Sequence, residues 1–190
     1  GDIGPVNLDW TVNHQGGHYD GRPISAWLLL FAQNYRLGKD RGAPRVGFHA
    51  DYASGGGAYT GGTLRNALAP FGNNIYYSYQ LYATPTNLIA LAPTFTFNPL
   101  KTVRLSAEYQ LSWRDTVRDA VYRANGTAFA GTQNVPGRKI ADTARLQAVW
   151  TISPRVSVTG RYEHLMAGPA LKNAGYSSSD FLAGWLSLRF

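Results

Sequence analysis

Charged residues at alternate positions are the part of this 190-residue sequence whose type and spacing could do chemistry. An arginine guanidinium is planar and can bind a carboxylate through two parallel hydrogen bonds. Rows of such weak, repeated sites would let an anionic chain enter and still leave. The same side chains could instead pair with each other across neighbouring strands and fill space; for the set as a whole we favour the binding interpretation. The set comprises Arg45, Arg104, Glu108, Arg114, Arg145, Arg161, Glu163 and Arg189.

Two other kinds of site, catalytic and metal-binding, deserve comparison with this one. Ser54, His49 and Asp51 could supply a nucleophile, a base and an orienting acid, but no oxyanion hole is evident near them. His14 and His18 have metal-ligand spacing only in a helix, whereas the local pattern is a strand that runs into a glycine turn. We therefore predict no catalytic residue, no metal and no cofactor, and an enzyme is the weakest alternative.

The charged residues lie on segments that alternate apolar and polar side chains, which is the pattern of a β-strand with two different environments. In the clearest segment, Val103 to Arg114, all apolar residues share one face and all polar residues share the other. Pro93 weakens the segment around it because proline cannot donate to a sheet ladder, and the pattern does not fix the facing of 24–37. Similar segments predict further strands at 6–15, 24–37, 45–53, 87–98, 143–152, 156–163 and 180–190.

Connections between the predicted strands alternate in length. Those at 38–44, 98–101 and 153–155 are short, and those at 16–23, 54–85, 115–138 and 167–179 are mostly longer. Short turns at one end and long loops at the other are typical of an antiparallel transmembrane β-barrel. A helical membrane protein is excluded, because no apolar run reaches the length of about 18 residues that a spanning helix needs.

Aromatic residues near the strand ends support the same interpretation. Outward Trp and Tyr side chains form girdles where a barrel crosses the membrane interfaces. A soluble β-sandwich would also alternate, but it would not place aromatics so regularly at strand ends. The predicted interface residues are Trp10, Tyr52, Trp113, Trp150, Tyr162 and Phe190.

The net charge of +7 is compatible with nucleic acid, an anionic surface or an anionic solute as partner. Lysines and arginines are scattered at alternate positions, which makes nucleic acid the weakest of the three. The absence of cysteine permits an oxidising compartment.

Several stretches resemble the alginate-export family of outer-membrane porins. They follow one another in order and cover most of the chain. One departure is Gly56, where the family usually has an acidic residue, so that any ion or loop contact there is in doubt. The main stretches are Asn87-Leu-Ile-Ala-Leu-Ala-Pro93, Trp113-Arg114, Asp119-Ala-Val-Tyr122, Tyr162-Glu-His-Leu-Met-Ala-Gly168 and Phe190. Weaker ones are His14-Gln15-Gly16, Ile24-Ser-Ala-Trp27, Asp51-Tyr-Ala-Ser-Gly55 and 62–71.

The resemblance implies a barrel of about 18 strands, whereas eight are predicted here. We therefore expect residues 1–190 to form a single outer-membrane β-barrel domain that is the C-terminal portion of a longer porin. Eight strands that close on a lumen filled by side chains are the alternative.

The implied function is passive passage of an anionic polysaccharide or small anionic solutes through an arginine-lined lumen. The implied location is the outer membrane of a Gram-negative bacterium, with membrane lipid as a partner and the barrel-assembly machinery recognising the last strand, 180–190. A structural barrel that displays loops without transport is the second interpretation.

Overall fold

A computed structural model describes residues 1–40, 42–69 and 74–190, and strands dominate it. Within these residues one antiparallel sheet follows chain order, and each strand pairs with its neighbours in sequence. The all-β prediction is confirmed. The strands are β1 (Asp2–Ile3), β2 (Val6–Tyr19), β3 (Arg22–Arg36), β4 (Arg45–Ala53), β5 (Leu88–Leu100), β6 (Val103–Trp113), β7 (Lys139–Ser153), β8 (Val156–Ala167) and β9 (Ser179–Leu188). The connections contain a short helix, α1 (Pro169–Lys172), and 3₁₀ turns at Asn74–Tyr76 and Thr132–Asn134.

The connection between β2 and β3 corrects the sequence prediction. A glycine-rich turn was expected over 16–23, but only Asp20 and Gly21 lie between the strands. Both have positive φ, 48° and 70°, which is what a two-residue hairpin turn requires and what Asp-Gly provides readily. Gly16 and Gly17 stay in the ladder, because backbone hydrogen bonds alone hold them opposite β3. The alternation of short and long connections therefore fails at this one place.

Smaller corrections concern strand ends and number. The strand β1 spans too few residues to show an alternating pattern, so it was missed. The strands β7 and β8 extend beyond the predicted ranges at the long-loop end of the sheet. Pro93 does lie within β5, and its pairing with β6 is interrupted between Leu91 and Thr94, where the proline lacks an N–H group. The strand β4 matches its predicted range.

The two faces of the sheet are inverted relative to a soluble protein. Leu182, Leu146 and Trp150 on the apolar face are 81%, 53% and 51% exposed. Polar side chains on the other face, such as Gln110 and Glu163, are fully buried. Such a sheet suits lipid on its apolar face and a polar interior on the other. Hereafter these are called the apolar face and the polar face.

The facing of β3, which its sequence left open, is now fixed. Ala26 and Leu28 are buried on the polar face, whereas Trp27 between them is 45% exposed on the apolar face. Both buried residues belong to an apolar cluster that joins the strand ends to the long loops. That cluster also contains Tyr77 and Tyr82 from the loop after β4. The loops therefore fold over the polar face at one end of the sheet.

No helix in the described residues is long and apolar enough to cross a membrane.

Candidate functional site

Arg145 of β7 lies in the middle of a row of charged side chains on the polar face. It is 3% exposed, and its guanidinium forms an ion pair with Glu108 of β6. The strand register places Glu108, Arg145 and Glu163 side by side on β6, β7 and β8. The Arg145 guanidinium also donates to the Gln110 side-chain oxygen at 3.2 Å and to the Tyr76 carbonyl at 2.7 Å. One arginine therefore joins two strands to the long loop.

His49 extends this row of charges toward β4. Its Nδ1 lies 2.7 Å from an oxygen of Asp51, and its Nε2 lies 3.3 Å from an oxygen of Glu108. Ala92 of β5 lies opposite His49 in the ladder and is fully buried. Because that alanine is small, the imidazole can reach across β5 to β6. The result is a continuous polar chain from Asp51 through His49 and Glu108 to Arg145.

Glu163 holds the loop from the other side. Its side chain is fully buried and accepts hydrogen bonds from the Ser78 hydroxyl at 2.8 Å and from the Tyr79 backbone N–H. A buried carboxylate needs such donors, because losing water without replacement costs several kcal/mol. The loop residues around Ser78 are therefore fixed by charge as well as by apolar packing.

Tyrosines of this loop remain neutral at physiological pH. Burial raises the pKa of Tyr77 well above its ordinary value, and the nearby Asp51 carboxylate raises it further. Burial is also the main cause that raises the pKa of Tyr76 and of Tyr79, which Arg145 opposes in both cases. These side chains therefore offer ring faces and hydroxyl groups to the polar face, not negative charge.

Arg161 of β8 has a different set of neighbours. Its Nε donates to the Gln147 oxygen at 2.6 Å. Its guanidinium lies 4.7 Å from the centre of the Tyr79 ring and 4.9 Å from that of Trp185. The rings attract the cation, but none of these partners carries a negative charge that would neutralise the guanidinium.

A cavity of about 200 Å³ lies on the polar face beside this network. It is the space between the loop and the sheet that a small solute could occupy. Its polar lining includes Asn34, His49, Tyr76, Tyr79, Glu108 and Arg145.

The remaining predicted lining residues divide into two kinds. Arg45 and Arg104 lie on the same face toward the short turns, and Arg104 is exposed. Neither guanidinium has a hydrogen-bond partner among the described residues. Arg189 follows the end of β9, where its backbone N–H donates to the Arg155 carbonyl at 2.9 Å. Arg104 and Arg189 are exposed to solvent, and Arg45 is partly buried.

Arg114 is of the other kind. It is fully buried, and its guanidinium donates to the carbonyls of Asp119, Thr132 and Val135 at 3.2, 2.6 and 3.0 Å, and also to that of Gly137. Burial lowers its pKa, and Asp119 opposes that shift. Arg114 therefore holds the loop after β6 in place. Of the two roles considered for the charged residues, binding an anion and filling space within the protein, its contacts are of the second kind.

A second cluster, which we call the loop lock, joins the two long loops; it consists of Gly56, Asn87, Arg114 and Asp119. The fully buried Asp119 accepts from the Gly56 N–H at 2.7 Å and from the Asn66 amide at 2.8 Å. Asn87 donates to the Ala120 carbonyl at 2.9 Å. Gly56, which lacks the acidic side chain usual in the family, therefore contacts the loop after β6 through its backbone N–H.

The predicted interface aromatics lie on the apolar face or beyond it. Trp10, Trp150 and Tyr162 are exposed there. Trp113 lies beneath the ammonium group of Lys139, 4.1 Å from the ring centre. The Tyr52 hydroxyl donates to Asp115 at 3.3 Å.

Phe190, the sixth predicted interface aromatic, follows the end of β9 and is fully exposed.

The residues of the catalytic and metal alternatives have the following contacts. The Ser54 hydroxyl donates to the Arg65 carbonyl at 2.6 Å and accepts from the Trp27 N–H at 2.8 Å. The His49 imidazole lies against two carboxylates and the Tyr76 ring. His14 packs against Trp27 with 4.5 Å between ring centres. The described residues contain no group of three or more His, Cys, Asp or Glu side chains that could hold a metal ion.

Comparison with known families shows to which family this chain belongs. The sequence profile of the Alginate export family matches residues 1–184. The chain belongs to the Alginate export family. Members of this family are outer-membrane transport porins with a β-barrel fold, which confirms the resemblance found in the sequence. No curated protein sequence matches the chain.

Three of the stretches that resembled the Alginate export family contribute residues to the loop lock. Three of its members, Asn87, Arg114 and Asp119, stand within the stretches quoted for that resemblance. Their side chains bind backbone atoms of another segment. In this chain these three side chains therefore hold the long loops together.

The loop residues that reach the polar face were not predicted from the sequence. Tyr76, Tyr77, Ser78 and Tyr79 stand in a connection without regular alternation, so no pattern gave their orientation. The aromatic density of that run was the available signal, because three tyrosines in four residues are unusual for an exposed loop.

Proposed function

We propose that this member of the Alginate export family forms an outer-membrane channel for an anionic polysaccharide or small anionic solutes, without covalent chemistry. One observation carries the proposal. On the polar face, the charges of Arg45, Arg104 and Arg161 are uncompensated, whereas Arg145 is paired with Glu108. The solute-accessible charge of this face is therefore positive.

Such a surface can move an anion without trapping it. Each guanidinium can bind a carboxylate through two hydrogen bonds. Exposed sites of this kind contribute only about 1 kcal/mol or less. A polymer with one carboxylate on each sugar can therefore pass from one arginine to the next, since no single contact holds it.

The location and partners follow from the same proposal. Membrane lipid would contact the apolar face, and the barrel-assembly machinery would recognise β9. The exposed Leu182, Leu186 and Leu188 on that strand support both expectations.

Conductance in a planar bilayer tests the proposed selectivity. We expect Arg45→Glu, Arg104→Glu and Arg161→Glu, combined in one variant, to reduce anion preference and to shift the reversal potential in a salt gradient. The matched control is Arg155→Glu, which changes an exposed arginine in the turn between β7 and β8. An unchanged reversal potential in the triple variant would contradict the basic lumen.

A structural barrel that displays loops is the second candidate. The loop after β4 favours it, because this loop covers Glu163 and Thr143 on the polar face. If the barrel is closed in this way, neither the natural chain nor Glu163→Gln will conduct. Conductance that rises in Glu163→Gln would show instead that the loop restricts an open channel.

A further inference from the structure

We propose that a cleft at the long-loop end of the sheet, on its apolar face, binds the phosphate-bearing sugar headgroup of an outer-leaflet glycolipid. The inference rests on the proposed outer-membrane location. The cleft has a volume of about 540 Å³ and lies between the loop after β4 and the residues that follow Arg114. Its side-chain lining includes Trp27, Tyr52, Arg65, Asp115 and Arg118.

The strand register places this cleft outside the lumen. Leu28 and Ala53 are ladder partners and are both buried on the polar face. Their neighbours Trp27 and Tyr52 therefore point to the opposite, apolar face. The cleft begins beside Tyr52 at the end of β4 and Trp27 on the adjacent β3. We place these two aromatic residues at the height where Trp and Tyr meet lipid headgroups. A lipid could enter it from the side, whereas a solute in the lumen is separated from it by the sheet.

The charge available in the cleft is positive. Arg65 and Arg118 are exposed, and neither guanidinium has a hydrogen-bond partner among the described residues. The one carboxylate in the lining, Asp115, accepts through its Oδ2 from the Tyr52 hydroxyl at 3.3 Å and from the Gly55 N–H at 3.1 Å. Two guanidinium groups without hydrogen-bond partners among the described residues therefore outnumber the single carboxylate of the cleft.

This chemistry suits a phosphorylated sugar at a membrane surface. Guanidinium groups bind phosphate through paired, charge-assisted hydrogen bonds. Basic pockets at the level of the headgroups bind anionic lipids. Trp27, which is 45% exposed beside the cleft, supplies an amphipathic ring suited to the boundary between acyl chains and sugars. The position favours a lipid over the exported polymer, because the polymer would pass on the other face.

Native mass spectrometry of the purified full chain in neutral detergent tests the cleft, with diphosphorylated lipid A as the probe. We expect Arg65→Gln with Arg118→Gln to weaken lipid A binding by about tenfold or more. The matched control, Lys101→Gln with Arg155→Gln, removes two exposed cations from the short-turn end and should bind like the natural chain. Lipid A without its phosphates should bind weakly to all of them.

Two results would overturn the assignment: equal lipid A binding by both double variants, or displacement of lipid A by a free uronic acid oligomer. The second result would assign the cleft to the polymer. Neither result depends on the location of the chain in a cell, which membrane fractionation measures separately. Absence from the outer-membrane fraction would count against the proposed function, and loss of the arginine effect would count against the cleft alone.

Discussion

The long-loop end and the short-turn end of the polar face treat charge in opposite ways. At the long-loop end, Arg114, Asp119 and Glu163 are fully buried and bind loop atoms. At the short-turn end, Arg104 is exposed and has no hydrogen-bond partner among the described residues. The same alternating pattern contains Arg104, Arg114 and Glu163, so the loops decide which of these charges hold structure and which remain available for a solute.

The difference has an energetic reason. A buried charge is tolerated only where several hydrogen bonds replace water, and removal of one partner then leaves the others unsatisfied. An exposed arginine keeps its water and contributes little to stability. An arginine that stabilises the fold must therefore be buried with several hydrogen-bond partners, whereas an arginine that binds a solute must be exposed. The alternating sequence pattern is the same for both.

The largest expected effect is at the buried end. Arg114→Ala removes the donors of four backbone carbonyls, and we expect a loss of about 3 to 5 kcal/mol in the free energy of unfolding. Arg104→Ala should change it by less than about 0.5 kcal/mol. Urea unfolding in detergent measures both. Similar losses for the two variants would remove the distinction between the two ends.

The next effect tests the facing on which the comparison depends. Leu146→Arg places a charge on the apolar face, and we expect a loss of about 2 to 4 kcal/mol if the site lies near the bilayer midplane. Ser106→Arg is the matched change on the polar face and should be tolerated. The free energy of folding into lipid vesicles measures both variants. Equal tolerance would mean that lipid does not contact the apolar face.

Strands and facing were predictable because each depends on a local pattern. The alternation from Val103 to Trp113 gives both the extent of β6 and its two faces. Where the pattern was weak, the prediction was incomplete. The strand β3 carries apolar residues on both faces: Ala26 and Leu28 pack against the loop on one face, and Trp27 is exposed on the other. Side chains alone do not show which face a loop will cover.

The site was only partly predictable, because its loops fold back across long sequence separations. Arg145 and Glu163 were recognised as inward charges, but their partners at Tyr76 and Ser78 come from another part of the chain. Arg114 shows the same difficulty. The alternating pattern of its strand predicts that Arg114 points to the polar face. Its binding to backbone carbonyls depends on the path of the loop, which the pattern does not give.

The smallest expected effect is the pH dependence of the loop after β4, which involves the buried Tyr77 and is absent near neutral pH. Its pKa is raised above its unfolded value of about 10, so the stabilisation is complete below that pH and is lost as the pH rises further. We therefore expect protease cleavage of the loop after β4 to increase only at strongly alkaline pH. Tyr77→Phe keeps the ring without an ionisable hydroxyl and should move that transition to higher pH, whereas Tyr19→Phe, at an exposed residue, should not. Loop cleavage that begins near neutral pH would show that the long-loop end is not held by burial, and the contrast with the short-turn end would then rest on Arg114 and Asp119 alone.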